Sequence, residues 1–191
     1  MQNLNPLEFP HPFDKGRTGQ PKYNNRRTYG ENIKPSRDPF VGAAEEMIQM
    51  KALYSDGSVQ ECENELEVLR HTASHVMAQA VQRLYPGTKL AIGPAIDDGF
   101  YYDFDKEGGF APEDLEKLEA EMKKIVKQNL KLETFTKPRQ EAIEFLREKG
   151  EDYKVELVED LPEDASISFY KQGDFVDLCA GPHVTYTKAV K

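Results

Sequence analysis

Apolar side chains are patterned only from residue 47 onward; the first 46 residues show no apolar periodicity. Leu69, Thr72, Val76, Ala80 and Leu84 recur every three to four residues, which predicts an amphipathic helix over Leu66–Leu84. Tyr85-Pro86-Gly87 closes it, because proline disfavours helical backbone in the residue before it and glycine suits a turn. A second helix is predicted over Phe110–Leu130, opened by Pro112-Glu113-Asp114 and buried through Leu115, Leu118, Met122, Ile125 and Val126. A third runs from Arg139 to Lys149 through Ile143 and Leu146, with Gly150 beyond it. Alternation predicts a hairpin over Met50–Glu61 around Ser55-Asp56-Gly57-Ser58 and a strand over Gly99–Phe104 with Phe100, Tyr102 and Phe104 on one face. Further strands are predicted over Leu130–Thr136 and Tyr153–Glu159. A last hairpin pairs Ser166–Tyr170 with Phe175–Cys179 through Gln172-Gly173-Asp174. Strands interspersed with helices and joined by hairpins make this α+β: a largely antiparallel sheet with helices packed on it, preceded by an extended disordered arm.

Composition supports that division. Residues 1–46 hold Pro6, Pro10, Pro12, Pro21, Pro35 and Pro39 and cannot bury enough surface to offset their ordering entropy. The net charge is −9, but the first forty residues carry +3 and the remainder −12. The arm is thus a basic, Pro-rich segment with Phe9, Phe13, Tyr23, Tyr29 and Phe40 as anchors for an RNA or protein contact; the plainer alternative is a solvated tail. No apolar run approaches the ~20 residues that span a bilayer, and no signal-peptide core opens the chain, so it reads as cytoplasmic with no membrane partner. Cys62 and Cys179 lack framework spacing and are expected to be free thiols.

His71 and His75 lie four apart on the first helix and so share a face beside its buried stripe. About a hundred residues on, Cys179 and His183 form a CxxxH of matching ligand character, and only one of the four histidines, His11, falls outside the two motifs. Converging, the two pairs make either a tetrahedral zinc site of His71, His75, Cys179 and His183 or a metal-free hydrolytic pocket in which imidazoles orient water. Satisfied core histidines beside a buried thiol are the remaining reading.

Residues 70–105 (RHTASHVMAQAVQRLYPGTKLAIGPAIDDGFYYDFD), 151–162 (EDYKVELVEDLP) and 175–184 (FVDLCAGPHV) resemble, in order, the amino-terminal editing domain of bacterial threonyl-tRNA synthetase. Residues 47–61 (MIQMKALYSDGSVQE) resemble the opening hairpin of that enzyme's TGS domain. The resemblance divides the chain into an arm at 1–46, a TGS-like hairpin remnant at 47–65 and a tRNA-editing domain at 66–191. It implies hydrolysis of seryl-tRNA(Thr), by a fragment or freestanding relative of the synthetase, with threonine tRNA mischarged with serine as partner and no aminoacylation. The catalytic positions it implies are His71, which orients or deprotonates water, Lys154, which stabilises developing negative charge, and Cys179. The substrate-binding positions are His75, Tyr102, Asp177 and His183. Asp177 takes the serine ammonium, Cys179 and His75 wall off the threonine methyl, and Tyr102 and His183 complete the hydrogen bonds. The threonyl type implies no metal cofactor; the related alanyl domains, which bind zinc at the same motifs, keep zinc as the alternative. Against an enzyme, the acidic body lacks the Lys and Arg that neutralise tRNA phosphates, and the alternative function is a non-catalytic RNA- or protein-binding module.

Overall fold

The structure, a computed structural model, describes residues 49–190. The expected arm at 1–46 lies outside the described residues. The described part is α+β, with every ladder antiparallel. Strands β1 (Lys51–Leu53) and β2 (Val59–Glu61) form the expected hairpin. Helix α1 (Glu65–Leu84) follows, its first turn capped by Asn64, whose Oδ1 accepts from the Glu67 amide at 3.2 Å. Four two-residue strands come next: β3 (Lys89–Leu90), β4 (Ala95–Ile96), β5 (Gly99–Phe100) and β6 (Phe104–Asp105). Then come α2 (Pro112–Gln128), β7 (Leu132–Lys137), α3 (Arg139–Glu148) and α4 (Asp152–Asp160). The chain ends with β8 (Ile167–Gln172), β9 (Phe175–Leu178), β10 (His183–Val184) and a 3-10 turn at Thr187–Ala189.

Instead of one sheet there are two three-stranded sheets, β7-β8-β9 and β10-β1-β2, with two short ladders, β3-β6 and β4-β5. The hairpin does not stand alone, since β1 pairs with β10 through Ala52↔Val184 and Leu53↔His183. That pairing supplies the support a two-stranded ribbon needs in water. Side chains alternate across β8 and β9. Ile167, Phe169, Val176 and Leu178 pack with Ala142, Ile143 and Leu146 of α3 and Val155 and Val158 of α4. Tyr170, Gln172, Phe175 and Asp177 turn the other way, toward α1. Gly173, at φ +63°, takes the first position of the two-residue turn between β8 and β9, where a left-handed backbone is required.

Three expectations are corrected. Tyr153–Glu159 is part of helix α4, not a strand: Val155 and Val158, three apart, both enter the core beside α3. The Arg139 guanidinium bonds the carbonyls of Val158, Leu161 and Pro162 and so satisfies the carboxyl end of that helix. Gly99–Phe104 is not one strand either. Gly99 and Phe100 pair with β4, while Phe104 and Asp105 pair with β3, and Tyr102 lies between the ladders with its ring stacked on Phe104 at 4.9 Å. Leu115 is not in the buried stripe of α2 but 64% exposed. The slot before it belongs to Asp114, whose carboxylate accepts from the Ala111 amide at 3.0 Å and closes the first turn. Among the described residues, no helix is long and apolar enough to cross a membrane.

Candidate functional site

Helix α1 delivers His71 and His75 one turn apart; Cys179 opens the four-residue link between β9 and β10, and His183 is the first residue of β10. The structure brings the four together: their ligand atoms all lie within 4.8 Å of one another. Cys179 Sγ is at the centre, 3.2 Å from His71 Nε2 and 3.2 Å from His183 Nε2, and it accepts from the Gly181 amide at 3.2 Å. The His183 ring is packed between His71, His75 and Tyr170, with centroids 4.2, 4.1 and 4.5 Å away. His75 and His183 are buried, whereas His71 and Cys179 are partly open, so the cluster meets solvent on their side. Burial depresses the basicity of all three imidazoles, taking His75 to about 3 and His183 well below its ordinary value, and it pushes the Cys179 thiol up. At neutral pH the cluster is therefore three neutral imidazoles around a protonated thiol. Three imidazole nitrogens and one sulfur are a donor set that zinc takes, so His71, His75, Cys179 and His183 are the residues that would hold such an ion.

A second group adjoins the first through His75. Asp177 on β9 is 2% exposed; its Oδ1 lies 2.6 Å from Lys154 Nζ, and its Oδ2 accepts from the Tyr102 hydroxyl at 2.7 Å. His75 Nε2 is 3.5 Å from the same Oδ2. Burial alone would raise the Asp177 pKa, but the Lys154 ammonium, the adjacent His75 ring and the hydrogen bonds from Lys154 and Tyr102 outweigh it and hold the carboxyl below its usual range. Tyr102 is pushed the other way, first by burial and then by the Asp177 charge, which keeps its hydroxyl a donor. Lys154 reaches this place because it sits in the first turn of α4, and Glu151, just before that helix, lies 3.5 Å from its ammonium.

All seven residues expected from the sequence thus fall into one connected site. Glu151 and Thr72 were missed. Glu151 is buried, receives Gln82 Nε2 at 2.9 Å and lies 3.5 Å from the Lys154 ammonium; with residues 153–159 read as a strand, no sequence signal pointed to it. Gly93 has a steric part. A Cβ built there would enter the Tyr102 ring, and the Gly93 carbonyl already accepts from Ser74 Oγ at 2.6 Å, which ties the loop to α1. Gly93→Ala is expected to displace Tyr102 from Asp177 and to destabilise the protein by about 1–3 kcal/mol, as overpacking does. A thermal melt with near-ultraviolet circular dichroism of the tyrosines checks this; an unshifted melt would show that the loop gives way freely.

With the geometry in place, comparison with known proteins assigns the relatives. The family described as "Threonyl and Alanyl tRNA synthetase second additional domain" matches residues 167–191, which include Asp177, Cys179 and His183. The threonine–tRNA ligase of Clostridium novyi is 70% identical over 125 residues, 65% of this chain and 20% of the relative. That of Clostridium botulinum strain Hall is 63% identical over 146 residues, 74% of this chain and 23% of the relative. Residues 167–191 thus resemble the second additional domain, and the chain more broadly is similar to threonyl-tRNA synthetases. The threonine–tRNA ligase of Acetivibrio thermocellus is 67% identical over 125 residues. The chain spans about a fifth of the length of the threonyl-tRNA synthetases it matches.

Proposed function

We propose that this chain hydrolyses the ester of serine mischarged on threonine tRNA, as a fragment or freestanding relative of threonyl-tRNA synthetase, with residues 66–191 as the editing unit and 47–65 as a TGS-like hairpin. The setting is cytoplasmic. The need is physical: serine lacks one methyl of threonine, a difference worth only about 1–3 kcal/mol in a pocket, so a second site must remove the error. The observation that supports the reading best is the cluster itself, a solvent-facing imidazole and thiol backed by a buried ammonium–carboxylate pair. In the proposed reaction His71 Nε2 takes a proton from water as the oxygen attacks the ester carbonyl. The tetrahedral oxyanion is stabilised by Lys154, and its collapse expels the ribose oxygen, which takes back the proton; the products are serine and free tRNA. The serine ammonium occupies Asp177 and so releases Lys154 toward the oxyanion, while Cys179 and His75 wall off the position of a threonine methyl. Tyr102 and His183 hold the pocket by hydrogen bonds. No metal enters this scheme. A bound zinc ion on the four donors would supply a polarised water instead.

The test is deacylation of serine-charged and threonine-charged threonine tRNA by the wild type and His71→Ala, with and without a chelator. Loss of serine alone, resistant to chelation and slowed about 10²–10⁴-fold by the substitution, is the expected result. Sensitivity to the chelator would replace the metal-free scheme by the zinc one. A second reading, a non-catalytic RNA- or protein-binding module, draws support from the Lys154–Asp177 pair, which is closed on itself at 2.6 Å. Intact tRNA binding without hydrolysis of either ester would select it.

A further inference from the structure

We propose that Thr72 is a positioning residue of this site, fixing which ring nitrogen of His183 carries the proton; only its kinetic consequence rests on the hydrolytic reading above. Thr72 falls in the helical stripe and is fully buried, so its methyl and backbone are accounted for by packing. Its hydroxyl is not, since valine would fill the same volume. A hydroxyl has one proton to give and two lone pairs to receive with. The Val68 carbonyl, 2.9 Å from Thr72 Oγ1, can only accept, and it takes the proton. The Val184 amide, 3.1 Å away, can only donate, and it fills one lone pair. The remaining lone pair faces His183 Nδ1 at 3.2 Å. With the hydroxyl proton on Val68, the nearer of the two possible acceptors at 2.9 against 3.2 Å, that contact is a hydrogen bond only if Nδ1 carries the hydrogen.

The consequence passes through the ring. A neutral imidazole has one N–H, so a proton on Nδ1 leaves Nε2 bare, and Nε2 is the atom 3.2 Å from Cys179 Sγ. The thiol hydrogen is thereby directed to His183, and the Gly181 amide occupies a sulfur lone pair from the other side. His71 Nε2, at 3.2 Å from the same sulfur, is left without a claim on the only thiol proton. It is also on the open side of the cluster, where water arrives. Thr72 therefore decides, from two residues away, that His71 and not His183 is the ring free to act on water. No solvent reaches Thr72 to replace its hydroxyl.

The test uses the full chain labelled with ¹⁵N-histidine. Long-range proton–nitrogen correlation spectra report which nitrogen of each ring is protonated, and with four histidines in the chain single His→Gln variants assign the signals. The wild type and Thr72→Ser are expected to show His183 protonated on Nδ1, and Thr72→Val to lose that form. In the deacylation assay Thr72→Val is expected to lower kcat at least about tenfold with KM little changed, and Thr72→Ser to restore it. Protonation of His183 on Nε2 in the wild type, which needs no variant to observe, overturns the proposal. So does retention of the Nδ1–H form in Thr72→Val. Spectra as expected, in a wild type that hydrolyses neither ester, leave the tautomer assignment standing and remove the hydrolytic reading.

Discussion

Replacing Asp177 by Asn is expected to destabilise the protein by about 3–5 kcal/mol, because it leaves the Lys154 ammonium buried beside a group that cannot balance it. Lys154 is 1% exposed and Asp177 2%, so water cannot take the place of the lost charge. Glu151, at 3.5 Å, is the only other carboxylate paired with that ammonium among the described residues and is too far for a direct hydrogen bond. Asparagine keeps only one oxygen, so its NH2 must face either Lys154 or the Tyr102 hydroxyl and His75 ring, which sit 2.7 and 3.5 Å from Oδ2. Stability and chemistry separate in a double substitution. Lys154→Met with Asp177→Asn removes both charges and is expected to recover most of the stability, as well-packed apolar replacements of buried pairs do, while deacylation stays lost. Urea denaturation of the two single variants and the double variant measures the coupling. Additive losses would mean that the 2.6 Å pair contributes no interaction energy.

Acidification of the metal-free protein is expected to have the second large effect, and its sign follows from the imidazoles. Burial lowers His75 to about 3 and His183 well below its ordinary value. In the unfolded chain both take a proton below about pH 6.5, whereas in the folded protein they stay neutral. The unfolded state therefore binds more protons, and stability falls as pH drops below about 6.5. Each such ring contributes on the order of 1 kcal/mol per pH unit well below that value, and the two contributions add. His71, lowered in the same direction, adds to this. Asp177 acts lower down: its depressed pKa contributes stability above about pH 4, lost as pH falls through the folded value. Urea midpoints between pH 7.5 and 4.5 measure the curve. A flat profile from 6.5 to 5 would mean that the rings are already charged in the folded protein.

Helices α1, α2 and α3 and the final hairpin were legible because their signals are local. In α1 the stripe through Thr72, Val76 and Ala80 has one period and a clear stop, and all three residues are buried. Residues 153–159 misled because Val155 and Leu157 alternate with charged residues over a stretch too short for the two periods to separate. What decided for helix was long-range: the contact of Val155 and Val158 with Phe169 and the capping of the carboxyl end by Arg139. Tyr102 was placed on a strand for a similar reason, since nothing in residues 99–104 says that two partners divide the run between them. At the site the residue types were legible, His71, His75, Cys179 and His183 above all, and the resemblance carried Lys154, Asp177 and Tyr102. Their connections were not. A lysine in a stretch of alternating charges reads as a surface group, and only the fold shows that Asp177, 23 positions on, waits for it in the interior.

The link from Cys179 to His183 also joins the two three-stranded sheets. Cys179 directly follows the strand that closes one, and His183 opens the strand that starts the other, its backbone registered against Leu53 of the hairpin. The sulfur-to-nitrogen distance of 3.2 Å is therefore a gauge of how the sheets are seated on each other. Whatever grips or tugs the β1–β2 ribbon pulls directly on the strand that bears an imidazole of the pocket. An attachment at the front of this unit is, in mechanical terms, a lever on its chemistry.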